Sequence, residues 1–197
     1  MSNTVELLRY TPDYMDALTD AISMCHQKKA GSKVLKHCIE AGHLSVLEHA
    51  YATFKLKCSV QTLLQLTRHR HLSFTVQSSR VTELNDYYKT GTNADIGIEE
   101  NVKYYKDTVM YCDFHDLPKE MAAYAAPKAM MYNLVVTGNL RAWYEYLPKR
   151  MCARAQTEHR ELATEIQKQL AEVMPEIFAE VTAPCEDCKE SGCTFGK

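Results

Sequence analysis

Residues 66–81, LTRHRHLSFTVQSSRV, concentrate side chains suited to binding an anion. Arg68, His69, Arg70 and His71 are consecutive, Ser73, Thr75, Ser78 and Ser79 follow, and Arg80 closes the run. Guanidinium forks and imidazoles bind phosphate or carboxylate, and hydroxyls beside them add short donors. Successive helical residues advance about 100° each, so four in a row fan outward rather than share a face. Solvated cations complementing a helix C-terminus are the plain alternative. Arg80 sharpens the question. Period two places it with Leu72, Phe74, Val76 and Ser78 on the strand face that reads as buried. A buried guanidinium needs an anion, which is either a ligand phosphate cradled with Ser78 or an internal carboxylate.

Three further groups could carry chemistry. GHLSVLEHA gathers His43, Ser45, Glu48 and His49 just before a strand, but its spacing is not H-E-x-x-H, and no metal is assigned. TGNLRAW and LPKRMCARAQTEHRE bring Asn139, Arg141, Arg150 and Arg154. Arg150 and Arg154, at i and i+4 of an expected helix, point the same way and need an anion between them: a ligand, or Glu158. Cys185, Cys188 and Cys193 form C-x2-C-x4-C. That is one ligand short of a structural zinc site unless a His or Cys152 completes it, and a loose reduced tail is the alternative.

These residues need positioning. Thr11-Pro12-Asp13 opens a helix continuing to Met24, and Ser32 caps a second that Gly42 ends. AYATFKLKC alternates as a half-buried strand, with Ala52, Phe54, Leu56 and Cys58 inward. Ser59 caps a helix with Val60, Leu63, Leu64 and Thr67 as its inner face. LSFTVQSSRV reads as a strand, 90–97 as a loop and 99–114 as a Tyr-rich helix. A short helix starts at Pro118 and a strand covers 128–137. Asn139 caps a brief helix, and Pro148 opens a long one ending near Met174-Pro175. Helices and strands mix without a regular βαβ rhythm, so the fold class is α+β.

The chain has 197 residues, is 46% hydrophobic and carries a formal net charge of -2. These are globular values, and the acidic balance speaks against a nucleic-acid partner. No apolar run approaches the ~18 residues of a membrane span. No secretory signal is visible, so the eight cysteines read as reduced thiols in a cytoplasmic setting. No glycine-rich phosphate loop occurs; side chains must hold any nucleotide.

Arg68-His69-Arg70, seven residues and then Ser78 resembles the signature of the flavin-dependent thymidylate synthases. Surrounding pieces fall in that family's order: Gly42-His43, Ser45 and Glu48-His49 upstream, Gln65 three before Arg68, and Arg80 two after Ser78. Pro127, Asn139-x-Arg141, Arg150 and Ala155-Gln156-x-Glu158 follow. The resemblance covers about residues 20–160. It implies a domain over 1–180, an antiparallel sheet flanked by helices, with 181–197 a Cys-containing tail. It also implies a homotetramer with FAD between subunits. By resemblance, FAD meets Cys25, Ser45, Glu48, Arg68, His69, Arg70, His71, Asn139, Arg141 and Arg154. The nucleotide dUMP meets Gln65, Ser78, Ser79 and Arg80, with Arg150 at the uracil, and His43 lies near flavin and folate. Arg150, Ser78 and His43 are the implied catalytic residues. The implied reaction is reductive methylation: NADPH reduces FAD, methylenetetrahydrofolate supplies one carbon to uracil carbon 5, and flavin hydride completes the methyl group. No cysteine attacks the ring.

Departures accompany the resemblance. Ala123 replaces an Arg phosphate clamp four residues before Pro127, and Lys128 nearby is a point charge rather than a fork. Val76 replaces an acidic or amide residue, and Val81 a Tyr. Glu145 and Arg154 stand where Asn and His are common. Either other groups compensate, or the substrate is another deoxypyrimidine monophosphate, receiving a methyl or hydroxymethyl group. A flavin-binding relative without transfer activity is a further alternative.

Overall fold

The computed structural model describes residues 3–185, 188–190 and 193–194. Four strands form one antiparallel sheet: β1 (Thr4–Tyr10), β2 (Tyr51–Ser59), β3 (Leu72–Val76) and β4 (Met131–Asn139), in the order β1-β2-β4-β3. Its helices are α1 (Tyr14–His26), α2 (Ser32–Glu40), α3 (Val60–Leu66), α4 (Ala94–Phe114), α5 (Lys119–Ala123), α6 (Leu140–Met151), α7 (Thr157–Val173) and α8 (Pro175–Phe178). A 3-10 helix, Leu44–His49, leads into β2. The fold is α+β, as expected.

Alternation decides which sheet face is covered. Ala52, Phe54, Leu56 and Cys58 of β2 and Leu134 and Val136 of β4 are buried with Leu18, Ile22, Trp143, Leu147, Ile166 and Phe178. Trp143 closes this core: its ring meets Phe54 edge-on at 5.2 Å, and Nε1 donates to the Ala52 carbonyl at 3.1 Å. On the opposite face Thr53 and Thr137 share a hydroxyl hydrogen bond of 3.0 Å, and Tyr51, Lys55 and Val135 are exposed. A second, smaller core gathers Leu84, Val102, Tyr105, Cys112, Ala122 and Met130 beneath α4 and α5. Among the described residues no helix is long and apolar enough to cross a membrane.

Gly138 is where β2, β3 and β4 meet α6. It pairs with both Ala52 and Leu72, and an added Cβ would lie 2.4 Å from Leu72 Cδ2 and 3.2 Å from Trp143 Nε1. Gly138→Ala therefore overpacks the core. We expect a loss of about 1–3 kcal/mol in a denaturant titration.

Several expectations need correction. β1 escaped sequence reading because it is an edge strand with no deeply buried face, and its register shifts between Leu7 and Arg9. Ser32 is the first residue of α2, and Gly31 is its N-cap. The inner face of α3 is Thr62 and Leu66, with Leu63 packed half-buried against the core as expected, while Leu64 and Thr67 are exposed. The loop at 90–97 gives way to α4 at Ala94. β3 stops at Val76 because Gln77 turns its side chain onto Asn133 and Thr82, and Ser78 starts a turn closed by Thr82 N donating to its carbonyl at 3.0 Å. Pro148 lies inside α6 rather than opening a helix: Trp143, Tyr146 and Leu147 continue one buried face up to it. The break comes at 152–156, where Arg160 Nη1 donates to the carbonyls of Ala153 and Ala155 at 3.0 and 3.4 Å. Arg150 and Arg154 are therefore not on one helix.

Candidate active site

Arg68–His71 form two turns joining α3 to β3. His69 N donates to the Leu66 carbonyl, and Leu72 N to the His69 carbonyl, each at 3.1 Å. Ser59 fixes the start of α3 by accepting from Thr62 N, and Leu72 fixes the start of β3 against Gly138. The cluster thus splits in two directions. His69 turns inward and is half-buried, while Arg68, Arg70 and His71 are exposed. Among the described residues, neither Arg68 nor Arg70 makes an ion pair.

His69 meets the last turn of α6. Arg150 Nε donates to His69 Nε2 at 2.8 Å, and Arg150 Nη2 to the Gln65 carbonyl at 3.4 Å. That bond requires a lone pair on Nε2. Burial, then the charges of Arg150 and Lys149, hold His69 down at about 4, so the ring is neutral at pH 7. The His69 ring stands edge-on to Tyr146 at 4.8 Å. The fully buried Tyr146 hydroxyl lies 3.0 Å from His159 Nε2. Burial raises the Tyr146 phenol well above its usual range and lowers His159 to about 3.

These imidazoles carry a consequence for stability. A His depressed in the folded state is protonated first in the unfolded chain, so stability is lost as pH falls from about 6.5 toward the folded values. We expect thermal melts to show a lower Tm at pH 5 than at pH 7. His159→Gln should flatten that slope; an unchanged slope would assign it to other groups.

A second locus forms where the 3-10 helix meets α6. Glu48, His71, Asn139, Arg141, Ala142 and Glu145 line a cleft of about 210 Å³. Asn139 caps α6 by accepting from Ala142 N at 2.8 Å. Arg141 is gripped by two carboxylates, Nη1 on Glu48 at 2.6 Å and Nε on Glu145 at 2.8 Å. Ser45 stands one 3-10 turn from Glu48, on the same face, and His43 is the exposed residue capping that helix.

Ser78, Ser79 and Arg80 occupy a third place, beside α5. Arg80 is exposed, not buried, and its Nε donates to Glu120 Oε2 at 3.0 Å. The internal carboxylate is thus the partner present. No hydrogen bond among the described residues joins Ser78 or Arg80 to Gln65 or Arg150. Cys25 is exposed at the end of α1 and is not part of the cleft lining. Arg154 sits in the turn after α6 and pairs with Glu190 of the tail. Cys185 Sγ accepts from Ala153 N at 3.3 Å, so Cys185 and Glu190 both meet that turn. All eight cysteines are free thiols, and no group of three His, Cys, Asp or Glu residues placed to hold a metal ion occurs among the described residues. Glu158 is buried on the backbone N–H of Ser59 at 2.7 Å and on the Ser59 hydroxyl. It serves α3 rather than Arg150 or Arg154.

Sequence reading missed Tyr146, His159 and Glu120. Tyr146 was accessible in principle, being i, i+4 with Arg150 on a capped apolar helix. Glu120 was not, because 40 residues separate it from Arg80.

A family profile described as thymidylate synthase complementing protein matches residues 6–176. The chain is 32% identical to the flavin-dependent thymidylate synthase of Geobacter sulfurreducens, covering 98% of this chain and 94% of that one. It is 36% identical to a probable flavin-dependent thymidylate synthase of Mycobacterium phage D29, covering 75% and 71%. In structure it resembles thymidylate synthase X of Helicobacter pylori, solved with FAD and dUMP, at a TM-score of 0.78 and 24% identity over 91% of this chain and 98% of that one. It also resembles the UMP/dUMP methylase PolB of Streptomyces cacaoi, bound with 5-Br UMP, at a TM-score of 0.77 and 20% identity over 91% and 93%. With most of the chain matched by the profile and a relative covered nearly end to end, this protein belongs to the flavin-dependent thymidylate synthase family.

Proposed function

We propose that the chain converts dUMP to dTMP by reductive methylation, with FAD as bound cofactor and NADPH and methylenetetrahydrofolate as co-substrates. One observation carries the reading. Arg150 is held in a fixed orientation by the neutral imidazole of His69, whose neighbours Arg68 and Arg70 are exposed cations that make no ion pair among the described residues. That is an anion-binding rim around one oriented guanidinium.

The residues fit the cofactor. Two exposed guanidiniums suit its diphosphate, and the cleft beside His71, Asn139 and Glu48 offers donors and acceptors to its polar groups. Ser45, Arg141, Cys25 and Arg154 complete the proposed contacts, Arg154 only after leaving Glu190. When bound, FAD supplies the hydride that completes the methyl group. The chain's own work is electrostatic. Uracil carbon 5 is a weak nucleophile, and Arg150 beside the ring oxygen and nitrogen would stabilise the anionic, electron-rich form of the base in which carbon 5 attacks. His69 keeps that guanidinium from rotating away. Gln65, which gives its carbonyl to Arg150, lies where it can orient the base, Ser78 and Ser79 donate to the nucleotide, and His43 stands at the folate side.

A homotetramer with shared flavin sites is part of this proposal. It is supported by the apolar side chains that α4 and α5 leave in solvent, Met110, Phe114, Met121 and Tyr124 among them. The reading places the protein in the cytoplasm and requires neither nucleic acid nor membrane. Arg80's pairing with Glu120, together with Ala123, favours a second reading in which another pyrimidine monophosphate is the substrate. Mass analysis of products from dUMP, UMP and dCMP, each with methylenetetrahydrofolate and NADPH, tests both: a gain of one methyl on dUMP alone supports the first. No gain on any of them would overturn both.

A further inference from the structure

At the phosphate end of the proposed nucleotide site, Arg80 and Lys119 are each paired with a carboxylate. Ser78, Arg80, Val81, Pro118 and Glu120 line one open cleft. Arg80 spends its Nε on Glu120, and Lys119, next in sequence, is paired with Glu83 at 2.6 Å. One turn beyond Glu120 on the same helix stands Ala123, which adds no cation. The local sum over Arg80, Lys119, Glu83 and Glu120 is therefore zero. The Arg80–Glu120 contact is single and exposed, leaving both Nη nitrogens without a partner among the described residues. Such pairs exchange readily with a competing anion.

We propose that Glu120 is a specificity-determining residue, an internal competitor for Arg80 that a nucleotide's 5′-phosphate must displace. This rests on the assignment of Arg80 to that phosphate. A dianionic phosphate arriving at Arg80 meets the Glu120 carboxylate and is repelled, whereas the base and sugar meet no such opposition. Glu120 thus lowers affinity for the monophosphate selectively. The nucleotide must bind through its base and sugar as much as through its charge.

The test is a titration of the FAD-loaded protein with dUMP and, separately, with deoxyuridine, followed by flavin absorbance. Glu120→Gln keeps shape and removes charge. It should tighten dUMP binding about three- to tenfold, the modest range set by an exposed pair, and leave deoxyuridine binding unchanged. Glu120→Ala should do the same, which guards against an effect peculiar to the amide. Equal or weaker dUMP binding in both variants would overturn the proposal, because Glu120 would then be inert or would be holding Arg80 in place for the phosphate. Arg80→Ala separates this from the underlying assignment. Loss of dUMP affinity with FAD retained supports that assignment, and unchanged affinity removes it and the proposal together.

Discussion

Arg150→Ala is expected to reduce dTMP formation at least 100-fold while the protein keeps its fold and its flavin. The magnitude is that of removing one oriented charge from a transition state, about 10²–10³ in rate. Two features make this site sensitive. Arg150 makes directed bonds with Nε to His69 and Nη2 to the Gln65 carbonyl, so its orientation is fixed before substrate arrives. It also sits in the last turn of α6, where the helix dipole favours a cation and helps keep the guanidinium in place. Arg150→Lys should recover only a small part of the loss, because an ammonium cannot make both bonds in the same geometry. Single-turnover product formation alongside the flavin spectrum checks this. A change of less than tenfold in the alanine variant would place the charge stabilisation elsewhere.

Glu158→Ala should produce the largest loss of stability among polar substitutions, about 3 kcal/mol. Its carboxylate is 2% exposed and accepts from the Ser59 backbone N–H at 2.7 Å, from the Ser59 hydroxyl, and weakly from Gln156 Nε2 at 3.5 Å. Removing it leaves a buried N–H unsatisfied and frees the hydroxyl that caps α3. For a chain of this size the loss corresponds to a fall in Tm of about 6–12 °C. Because α3 ends at the cationic run, the same variant should bind flavin less well. Burial beside Glu158 already holds the Cys58 thiol up at about 12. A Tm within 2 °C of the parent would show that α3 is fixed by packing alone.

How far sequence carried these conclusions depended on the kind of signal. Alternation in β2 and the caps at Ser59 and Asn139 were legible, because each is written in adjacent residues and rests on local hydrogen bonds or burial. Pro148 misled because a local rule against helical proline lost to the buried face of Trp143, Tyr146 and Leu147. Period two extended β3 to Arg80 because Ser and Thr look alike in strands and in turns; only the Gln77 side-chain bonds distinguish them. The candidate site was legible as types but not as assembly. The run at 68–71 announced an anion, yet nothing in its spacing said that His69 would turn from its neighbours to hold Arg150, 81 residues away. Arg80 was expected to be buried and so to need an anion; it is exposed, and its pairing with Glu120 depends on how α5 packs.

The central claim is that the cations around position 70 exist to hold a flavin. Its most direct test is the absorption spectrum of the purified protein with added FAD, before and after NADPH, for the parent and for Arg68→Ala/Arg70→Ala. Bound flavin that bleaches with NADPH in the parent, and is largely lost from a variant of unchanged Tm, is the expected result. A parent that stays colourless after FAD is supplied, or a variant that binds FAD as the parent does, would contradict it.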